Sequence, residues 1–190
     1  LIELVEKIDA HDLVILELSS FQLEQMTTSP HIAAVLNITP NHLDRHGTMA
    51  DYIRAKSHIL VHQDKGDIAV LNRDDPESWN LRAQVRGSLI SFGRALPVSD
   101  ETAVFVEHGN IVLSENGKRS ILLEGSAIEL RGEHNLMNIL AACAIAHAAG
   151  LSPQAMQVGV SGFKGVKHRQ ELVREHNGVR WVNDSIASAP

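Results

Sequence analysis

The sequence DLVILELSS occupies residues 12–20, and HIAAVLNITP occupies residues 31–40. Each segment contains a nearly continuous apolar run, which covers residues 12–18 in the first and 31–39 in the second. Runs of this kind are typical of strands that are buried on both faces of a parallel sheet. We therefore predict two buried strands, joined by a short helix or turn within residues 19–28.

Helical and extended patterns alternate along the next part of the chain. Apolar residues recur at roughly helical spacing from Thr48 to Val61, and the apolar runs at 68–71 and 89–92 are typical of core strands. Strands that alternate with helices form α/β domains. The predicted fold class is therefore α/β, with a mostly parallel central sheet and flanking helices.

The pattern changes after residue 102, where three short apolar runs follow one another closely. The dipeptides His108-Gly109 and Asn116-Gly117 separate these runs, and such pairs favour tight hairpin turns. We therefore predict a small antiparallel meander in this part of the chain.

Two helices are predicted beyond the meander. The stretch HNLMNILAACAIAHAAG, at residues 134–150, is typical of an alanine-rich helix, and Ser152-Pro153 is a favourable start for the next one. Two further strands are predicted after these helices, at 170–174 and 179–183.

The composition of the 190-residue chain limits its possible functions. Hydrophobic residues make up 44% of the sequence, which is enough for a sizeable core, and the net charge of -6 argues against sequence-independent binding of nucleic acid. The single cysteine, Cys143, excludes an internal disulfide and a zinc site built from cysteines. No apolar run reaches the length needed to span a membrane.

Neither end of the sequence is typical of a protein terminus. The first residue is Leu1 rather than methionine, and the last residues follow directly on a predicted strand. We expect the chain to belong to a longer protein, with residues 1–165 forming a central domain and residues 166–190 beginning another.

Polar side chains follow both strands of the opening segments. Glu17 and Ser19 end the first segment, and the second continues into NITPNHLDRH, which includes His42. Open α/β sheets bind ligands at the carboxyl ends of their strands, and Mg²⁺ prefers a small number of carboxylate ligands there. A helix cap at Ser19 and a solvated loop around Arg45 and His46 are the simpler interpretations.

A zinc hydrolase is the alternative that the histidines raise. His42 and His46 are four residues apart, and His58 and His62 repeat that spacing. The zinc-protease pattern requires a Glu directly after the first histidine of a helical pair, and this sequence has none there. We therefore favour magnesium over zinc.

Several other polar residues are candidates for binding. Asn135 and Asn138 are three residues apart and share one face of the predicted helix. Arg169 and Asp184 flank the last two predicted strands and are suited to phosphate and ribose hydroxyls. Lys56, in the helix after the polar loop, is an ordinary solvated lysine by its spacing alone.

Six motifs occur in the order found in Mur ligases, and the sequence is identified as a member of that family by them. Phe-Gln-Leu-Glu after the paired serines resembles the branch that adds D-glutamate. The motifs are ELSSFQLE at 17–24, NITPNHLDRH at 37–46, YIRAK at 52–56, HNLMN at 134–138, HRQE at 168–171 and NDSIASAP at 183–190.

The resemblance implies a central ATP-binding domain followed by the start of a Rossmann-like C-terminal domain. It implies Mg²⁺ ligands, contacts to the UDP-sugar substrate, contacts to ATP, and a hydroxyl near the D-glutamate site. Glu17 matches a ligand of the magnesium at the ATP phosphates, and His42 and a carbamylated Lys56 match ligands of a second magnesium. The residues that match the other roles are, in that order, Ser19 and Gln22; Asn135, Asn138, Arg169 and Asp184; and Ser188.

The implied reaction is ATP-dependent ligation in cytoplasmic peptidoglycan synthesis. ATP converts the carboxylate of UDP-N-acetylmuramoyl-L-alanine to an acyl phosphate, and the amine of D-glutamate then displaces phosphate. The family's GxxxxGK[ST] loop lies upstream of the part that matches Glu17 and is absent from these residues. We therefore expect the 190-residue chain alone to be inactive.

A protein that binds a nucleotide or UDP-sugar without catalysis is the second hypothesis. Three positions depart from the family pattern. Asn41 replaces an Asp, Ile186 replaces a Lys, and Ala189 replaces an Asn. The change at Ile186 removes a cation from beside the transferred phosphoryl group.

Overall fold

The computed structural model describes residues 5–98, 100–128 and 132–186. Its main feature is a six-stranded sheet in which the strands lie in sequence order. The first four strands run parallel, and the last three form an antiparallel meander that continues the same sheet. The strands are β1 (Ile32–Val35), β2 (Ile68–Asn72), β3 (Ser88–Phe92), β4 (Ala103–Glu107), β5 (Asn110–Glu115) and β6 (Lys118–Leu123).

Helices connect the strands and cover both faces of the sheet. Short 3₁₀ turns occur at Leu81–Gln84 and Gly125–Ala127. The α-helices are α1 (Ser20–Leu23), α2 (Leu43–His46), α3 (Met49–Val61), α4 (Pro76–Asn80), α5 (Glu133–Ala148) and α6 (Pro153–Gly162). No helix in the described part of the chain is both long and apolar enough to cross a membrane.

Two apolar clusters, one on each face of the sheet, form most of the core. Val70 of β2 packs with Leu140 of α5 on one face, while its neighbour Leu71 packs with Leu60 of α3 on the other. Successive residues of a strand point to opposite faces, so a strand buried on both faces is apolar throughout. This arrangement confirms the predicted α/β class and its mostly parallel sheet.

The predicted hairpin turns are also confirmed. His108 and Gly109, and likewise Asn116 and Gly117, all have positive φ angles, between 49° and 80°. A type I′ turn requires this conformation at both central residues. The backbone preferences of these two dipeptides therefore fix the register of the meander.

The prediction of a strand at residues 12–18 is wrong. The segment is not assigned to a strand, and Leu13 and Ile15 are 66% and 87% exposed. The reason is that no strand within the described ranges pairs with it, and no helix there covers it. The second predicted strand is shorter than expected, because the ladder ends at Val35.

A second, two-stranded sheet follows α6. Its strands are β7 (Glu171–His176) and β8 (Val179–Asn183), which pair antiparallel. Most of their residues are exposed, unlike those of the six-stranded sheet. Both predicted strands are therefore present, and the domain boundary at residue 165 stays a prediction.

Candidate functional site

Three polar side chains meet where α1 approaches the loop after β1. Ser20 Oγ lies 2.9 Å from His46 Nε2, and Glu24 Oε1 lies 3.1 Å from His46 Nδ1. The His46 side chain is only 2% exposed. The expectation that His46 belongs to a solvated loop is therefore wrong. Both of its ring nitrogens have partners, as buried polar groups require.

Aromatic contacts enclose the same imidazole. The ring of Phe21 stacks on His46 with 4.9 Å between centroids and 5° between planes, and the ring of Tyr52 lies 5.2 Å away at a tilt. Burial raises the pKa of Tyr52. Phe21 also lies 5.4 Å from the ring of His42 and beneath the guanidinium of Arg45.

The three predicted metal ligands lie on neighbouring segments of this region. Glu17 is exposed just before α1, and His42 is exposed at the start of α2, where its φ of 53° is left-handed. Lys56 is partly buried on α3, with its Nζ 5.4 Å from the ring centroid of Tyr52. The loop after β1 thus brings His42 towards α1. Glu17 does not follow a strand in the structure, so the predicted sheet edge does not explain its position.

The surroundings of Lys56 differ from those of a solvated lysine. Burial lowers its pKa, and the negative charge of Glu17 partly opposes this shift. The burial effect dominates because removing an ammonium from water disfavours its charged form. An uncharged amine is the form that adds carbon dioxide, and carbamylation of Lys56 stays a prediction.

The donor set fits a hard divalent cation better than zinc. The carboxylate of Glu17 is exposed, and together with a carbamate on Lys56 it would supply oxygen ligands of the kind that Mg²⁺ prefers. No three His, Cys, Asp or Glu side chains converge on one point in the ranges that the structure covers. Both nitrogens of His46 are already engaged, so the His42 and His46 pair does not support zinc.

The predicted substrate contacts Ser19 and Gln22 bond to each other. Ser19 caps α1 by accepting a hydrogen bond from the Gln22 backbone, and the Gln22 side chain accepts one from the Ser19 backbone at 2.9 Å. This reciprocal pair is a capping box, which satisfies two backbone donors at the start of a helix. The simpler interpretation of Ser19 as a helix cap is therefore correct, and substrate contact by the two residues stays a prediction.

A large open cleft brings together most of the predicted nucleotide contacts. It has a volume of about 1210 Å³ and lies between α5, α6 and the β7–β8 sheet. Asn135, Asn138 and Arg169 line it, and Asp184 accepts a hydrogen bond from the backbone of Gln170, another lining residue. Helix α5 begins at Glu133 with residue 132 as its cap, so capping does not explain Asn135.

Three other positions from the sequence analysis have simple outcomes. Ser188 lies outside the described residues. Cys143 is buried beside the cleft, and burial raises the pKa of its thiol to about 12, so it is an unreactive core residue. Ile186, where the family pattern has Lys, is exposed, and its backbone N–H donates to the carbonyl of His168.

Sequence reasoning missed the group formed by Ser20, Glu24 and His46. Ser20 and Glu24 are four residues apart, which places them on one side of a helical turn. That spacing is the only local signal for the group. His46 lies at the end of α2, 22 residues beyond Glu24 in the sequence. Its position therefore depends on the packing of β1 and α3.

The chain also matches a known protein family. The family model for the Mur ligase middle domain matches residues 2–146, which is most of the chain. The chain therefore belongs to the Mur ligase family, as its motifs predicted.

Two similar relatives identify the branch of the family that the chain resembles. Both are named UDP-N-acetylmuramoylalanine--D-glutamate ligase. That of Pelotomaculum thermopropionicum is 44% identical over 191 residues, and that of Symbiobacterium thermophilum is 43% identical over 190. Each alignment covers 100% of this chain and 42% of the relative. The chain thus spans about two fifths of the length of these curated relatives.

Solved structures of Mur ligases share the fold. MurF from Acinetobacter baumannii has a TM-score of 0.64 at 25% identity, and the match covers 82% of this chain and 34% of that one. MurF ligase from Thermotoga maritima, solved in complex with ADP, has a TM-score of 0.57 at 22% identity and covers 82% and 35%. The latter likeness concerns the fold alone.

Proposed function

We propose that the chain is the central part of an ATP-dependent ligase that adds D-glutamate to UDP-N-acetylmuramoyl-L-alanine in cytoplasmic peptidoglycan synthesis. The observation that carries this proposal is the identity of 44% and 43%, over the whole chain, to two ligases of that name. The cleft lined by Asn135, Asn138 and Arg169 supports a nucleotide site, and the environment of Lys56 supports a metal site.

The chemistry requires two anions to approach each other. A carboxylate oxygen of the UDP-sugar substrate attacks the γ-phosphorus of ATP, the bond to ADP breaks, and an acyl phosphate forms. The amine of D-glutamate then attacks the acyl carbon, loses a proton, and displaces inorganic phosphate to leave an amide. Bound Mg²⁺ would neutralise the negative charge that accumulates between the phosphate oxygens and the carboxylate.

The chain's own residues would hold these reactants in place. Glu17 would hold the magnesium at the ATP phosphates, and His42 and a carbamylated Lys56 would hold a second magnesium beside the reacting groups. Asn135 and Asn138 would bind the base or ribose from α5, and Arg169 would bind phosphate across the cleft. Asp184 would accept a hydrogen bond from a ribose hydroxyl. Domain 1–165 would thus supply the metal site, and residues 166–190 would begin the domain that closes over the nucleotide.

The test compares Glu17→Gln with Glu124→Gln in the full-length protein that carries this chain. Loss of one electrostatic contact to the transition state commonly costs about 3 kcal/mol, or roughly a hundredfold in rate. We expect Glu17→Gln to reduce phosphate release by that factor. Glu124→Gln should have no effect, because Glu124 is exposed and its side chain makes no capping hydrogen bond.

The measurement is phosphate release that depends on ATP, D-glutamate and UDP-N-acetylmuramoyl-L-alanine together. Release by the wild type without D-glutamate dependence would contradict the assigned amino acid. Tight ADP binding with no phosphate release would favour the second hypothesis, a nucleotide-binding protein without catalysis, to which the exposed Ile186 points.

A further inference from the structure

The three proposed metal ligands lie on three separate elements. Glu17 lies three residues before α1, His42 is the residue before α2, and Lys56 lies on α3. None of these elements belongs to the sheet, and α1 and α2 have only four residues each. Helices this short have little stability of their own, so tertiary contacts must fix their relative positions.

The side chain of His46 contacts α1 and α3, and His46 itself belongs to α2. It bonds to Ser20 and Glu24 on and beside α1, it stacks on Phe21 of α1, and it packs against Tyr52 of α3. His46 itself is the last residue of α2, and its backbone N–H bonds to the carbonyl of residue 42. In the described part of the chain it is thus the meeting point of the segments that carry the ligands.

These contacts leave the imidazole one orientation. Hydrogen bonds of 2.9 and 3.1 Å hold its two nitrogens, and two aromatic rings pack against it. A buried network whose members are all satisfied specifies a single geometry. Removal of the ring would leave the Ser20 hydroxyl buried without its partner and would open a gap between Phe21 and Tyr52.

We propose that His46 is a positioning residue that holds Glu17, His42 and Lys56 in the arrangement that bound divalent cations require. This inference rests on the proposed function. Groups that orient metal ligands typically affect metal affinity by about 10–100-fold when they are removed. His46 acts through the elements it joins rather than by contact with the cation.

Ser20, His46 and Glu24 have the connectivity of a nucleophilic triad, but the burial of Ser20 and His46 argues against that role. Ser20 is 4% exposed and the His46 side chain is 2% exposed. A substrate carbonyl must approach a nucleophilic oxygen to about 3 Å, which this enclosure prevents. The hydroxyl of Ser20 therefore serves as a hydrogen-bond partner.

The experiment measures Mn²⁺ binding by electron paramagnetic resonance in the full-length protein without substrates. The test variant is His46→Leu. The matched control is His147→Leu, because His147 forms the same type of pair, with Glu115 at 3.1 Å, on α5, which carries none of the proposed metal ligands. We expect His46→Leu to raise the Mn²⁺ dissociation constant about tenfold or more, and the control to change it less than about twofold.

Steady-state kinetics provide a second measurement. His46→Leu should lower kcat at fixed Mg²⁺ and leave the KM for ATP unchanged, because the lining of the nucleotide cleft does not include His46. High Mg²⁺ should restore part of the lost kcat. A loss of kcat that no Mg²⁺ concentration restores, with unchanged Mn²⁺ affinity, would overturn the proposal.

Variants at Glu24 keep the proposal testable if His46→Leu does not fold. Glu24→Gln preserves an oxygen that accepts from His46 Nδ1 and should keep Mn²⁺ affinity within about threefold, whereas Glu24→Ala should weaken it further. Glu24 is 47% exposed, so its replacement leaves no cavity in the core. Equal affinity in wild type, Glu24→Gln and Glu24→Ala would overturn the proposal.

Two controls separate the failure of this inference from the failure of the function. If the wild type neither binds Mn²⁺ nor releases phosphate, the proposed function fails and the inference fails with it. If the wild type does both and His46→Leu matches the His147→Leu control, only the inference fails. Labelling of Ser20 by a fluorophosphonate, lost in His46→Leu, would replace the positioning role with a nucleophilic one.

Discussion

At the scale of single residues, Lys56 shows how packing changes the chemistry of a side chain. Burial lowers its pKa, while Glu17 and the face of the Tyr52 ring favour the ammonium form. The net result is a larger fraction of uncharged amine than a lysine in solvent has. That fraction makes Lys56 a candidate for carbamylation, which would exchange a positive charge for two metal-binding oxygens.

A substitution series at Lys56 tests this chemistry. We expect Lys56→Ala to reduce ligation by the full-length protein about a hundredfold or more, and a short carboxylic acid to restore part of it by supplying the missing oxygens. Lys65→Ala should have no effect, because Lys65 is exposed in a turn. The measurement is phosphate release with and without added acetate.

The arginine variant provides a further control. Lys56→Arg should stay inactive with or without acetate, since a guanidinium stays charged and its bulk occupies the space. A ¹³C resonance from carbamate in protein equilibrated with labelled bicarbonate, absent in Lys56→Arg, would support the modification directly. Near-normal activity of Lys56→Ala without acetate would show that this lysine is not a ligand.

At the scale of elements, helix α3 depends on its cap to present Tyr52 and Lys56 correctly. Thr48 Oγ1 accepts a hydrogen bond from the backbone of Asp51 at 3.1 Å and donates one to the Asp51 carboxylate at 2.6 Å. Replacement of a threonine cap by alanine costs about 1 kcal/mol of folding free energy. We expect that loss in Thr48→Ala and a smaller one in Thr48→Ser, measured by urea denaturation.

The matched control for the cap is Thr27→Ala, because Thr27 is exposed and is not part of a helix. Its free energy of unfolding should stay within about 0.5 kcal/mol of the wild type. A loss in Thr48→Ala no larger than that of Thr27→Ala would show that the cap does not stabilise the chain.

The same contact gives the cap a pH dependence. Hydrogen bonds from Thr48 and Arg54 hold the pKa of Asp51 below its usual value of 3.8. A carboxyl whose folded-state pKa is lowered stabilises the fold above its unfolded-state pKa, and this stabilisation is lost as the pH falls through the lowered value. The difference between wild type and Thr48→Ala should therefore be constant from pH 5 to pH 7 and should shrink below about pH 4. A difference that grows on acidification would contradict this assignment.

At the scale of the whole molecule, the sequence predicts those parts of the fold that depend on local preferences. The hairpins at His108-Gly109 and Asn116-Gly117 form because these residues accept a positive φ. Helix α6 begins at Ser152 and Pro153 because a hydroxyl cap and a fixed φ favour that start. Apolar runs such as Ile68–Asn72 become strands because the helices on both sides of the sheet cover them.

Contacts between distant segments were not predictable in the same way. The run at 12–18 has the composition of a buried strand, but no described strand pairs with it and no described helix covers it. His46 looked like a loop residue because its partners, Ser20 and Glu24, lie more than twenty positions earlier. Glu17 and His42 were candidates because they lie at or after the ends of predicted strands, whereas Lys56 was found only by motif resemblance, since spacing reveals neither burial nor a shared partner.

The arrangement of the two sheets leads to a prediction about protection by a nucleotide. The connection from α6 to β7, residues 163–170, contains no helix or strand, and it offers trypsin three exposed basic residues, Lys164, Lys167 and Arg169. All three line the cleft, so a nucleotide bound there would shield the peptide bonds that follow them. Lys65 is exposed in the turn between α3 and β2 and serves as the internal control.

Limited proteolysis of the full-length protein, with fragments located by mass spectrometry, measures this shielding. At roughly 100 times its dissociation constant, Mg-ADP leaves about 1% of the protein free, so cleavage within 163–170 should slow by up to about 100-fold. Cleavage after Lys65 should keep its rate, because that turn does not touch the cleft. Equal slowing at both places would indicate general stabilisation rather than shielding. An unchanged rate at Lys164, Lys167 and Arg169, despite measured ADP binding, would place the nucleotide elsewhere and remove the cleft from the proposed mechanism.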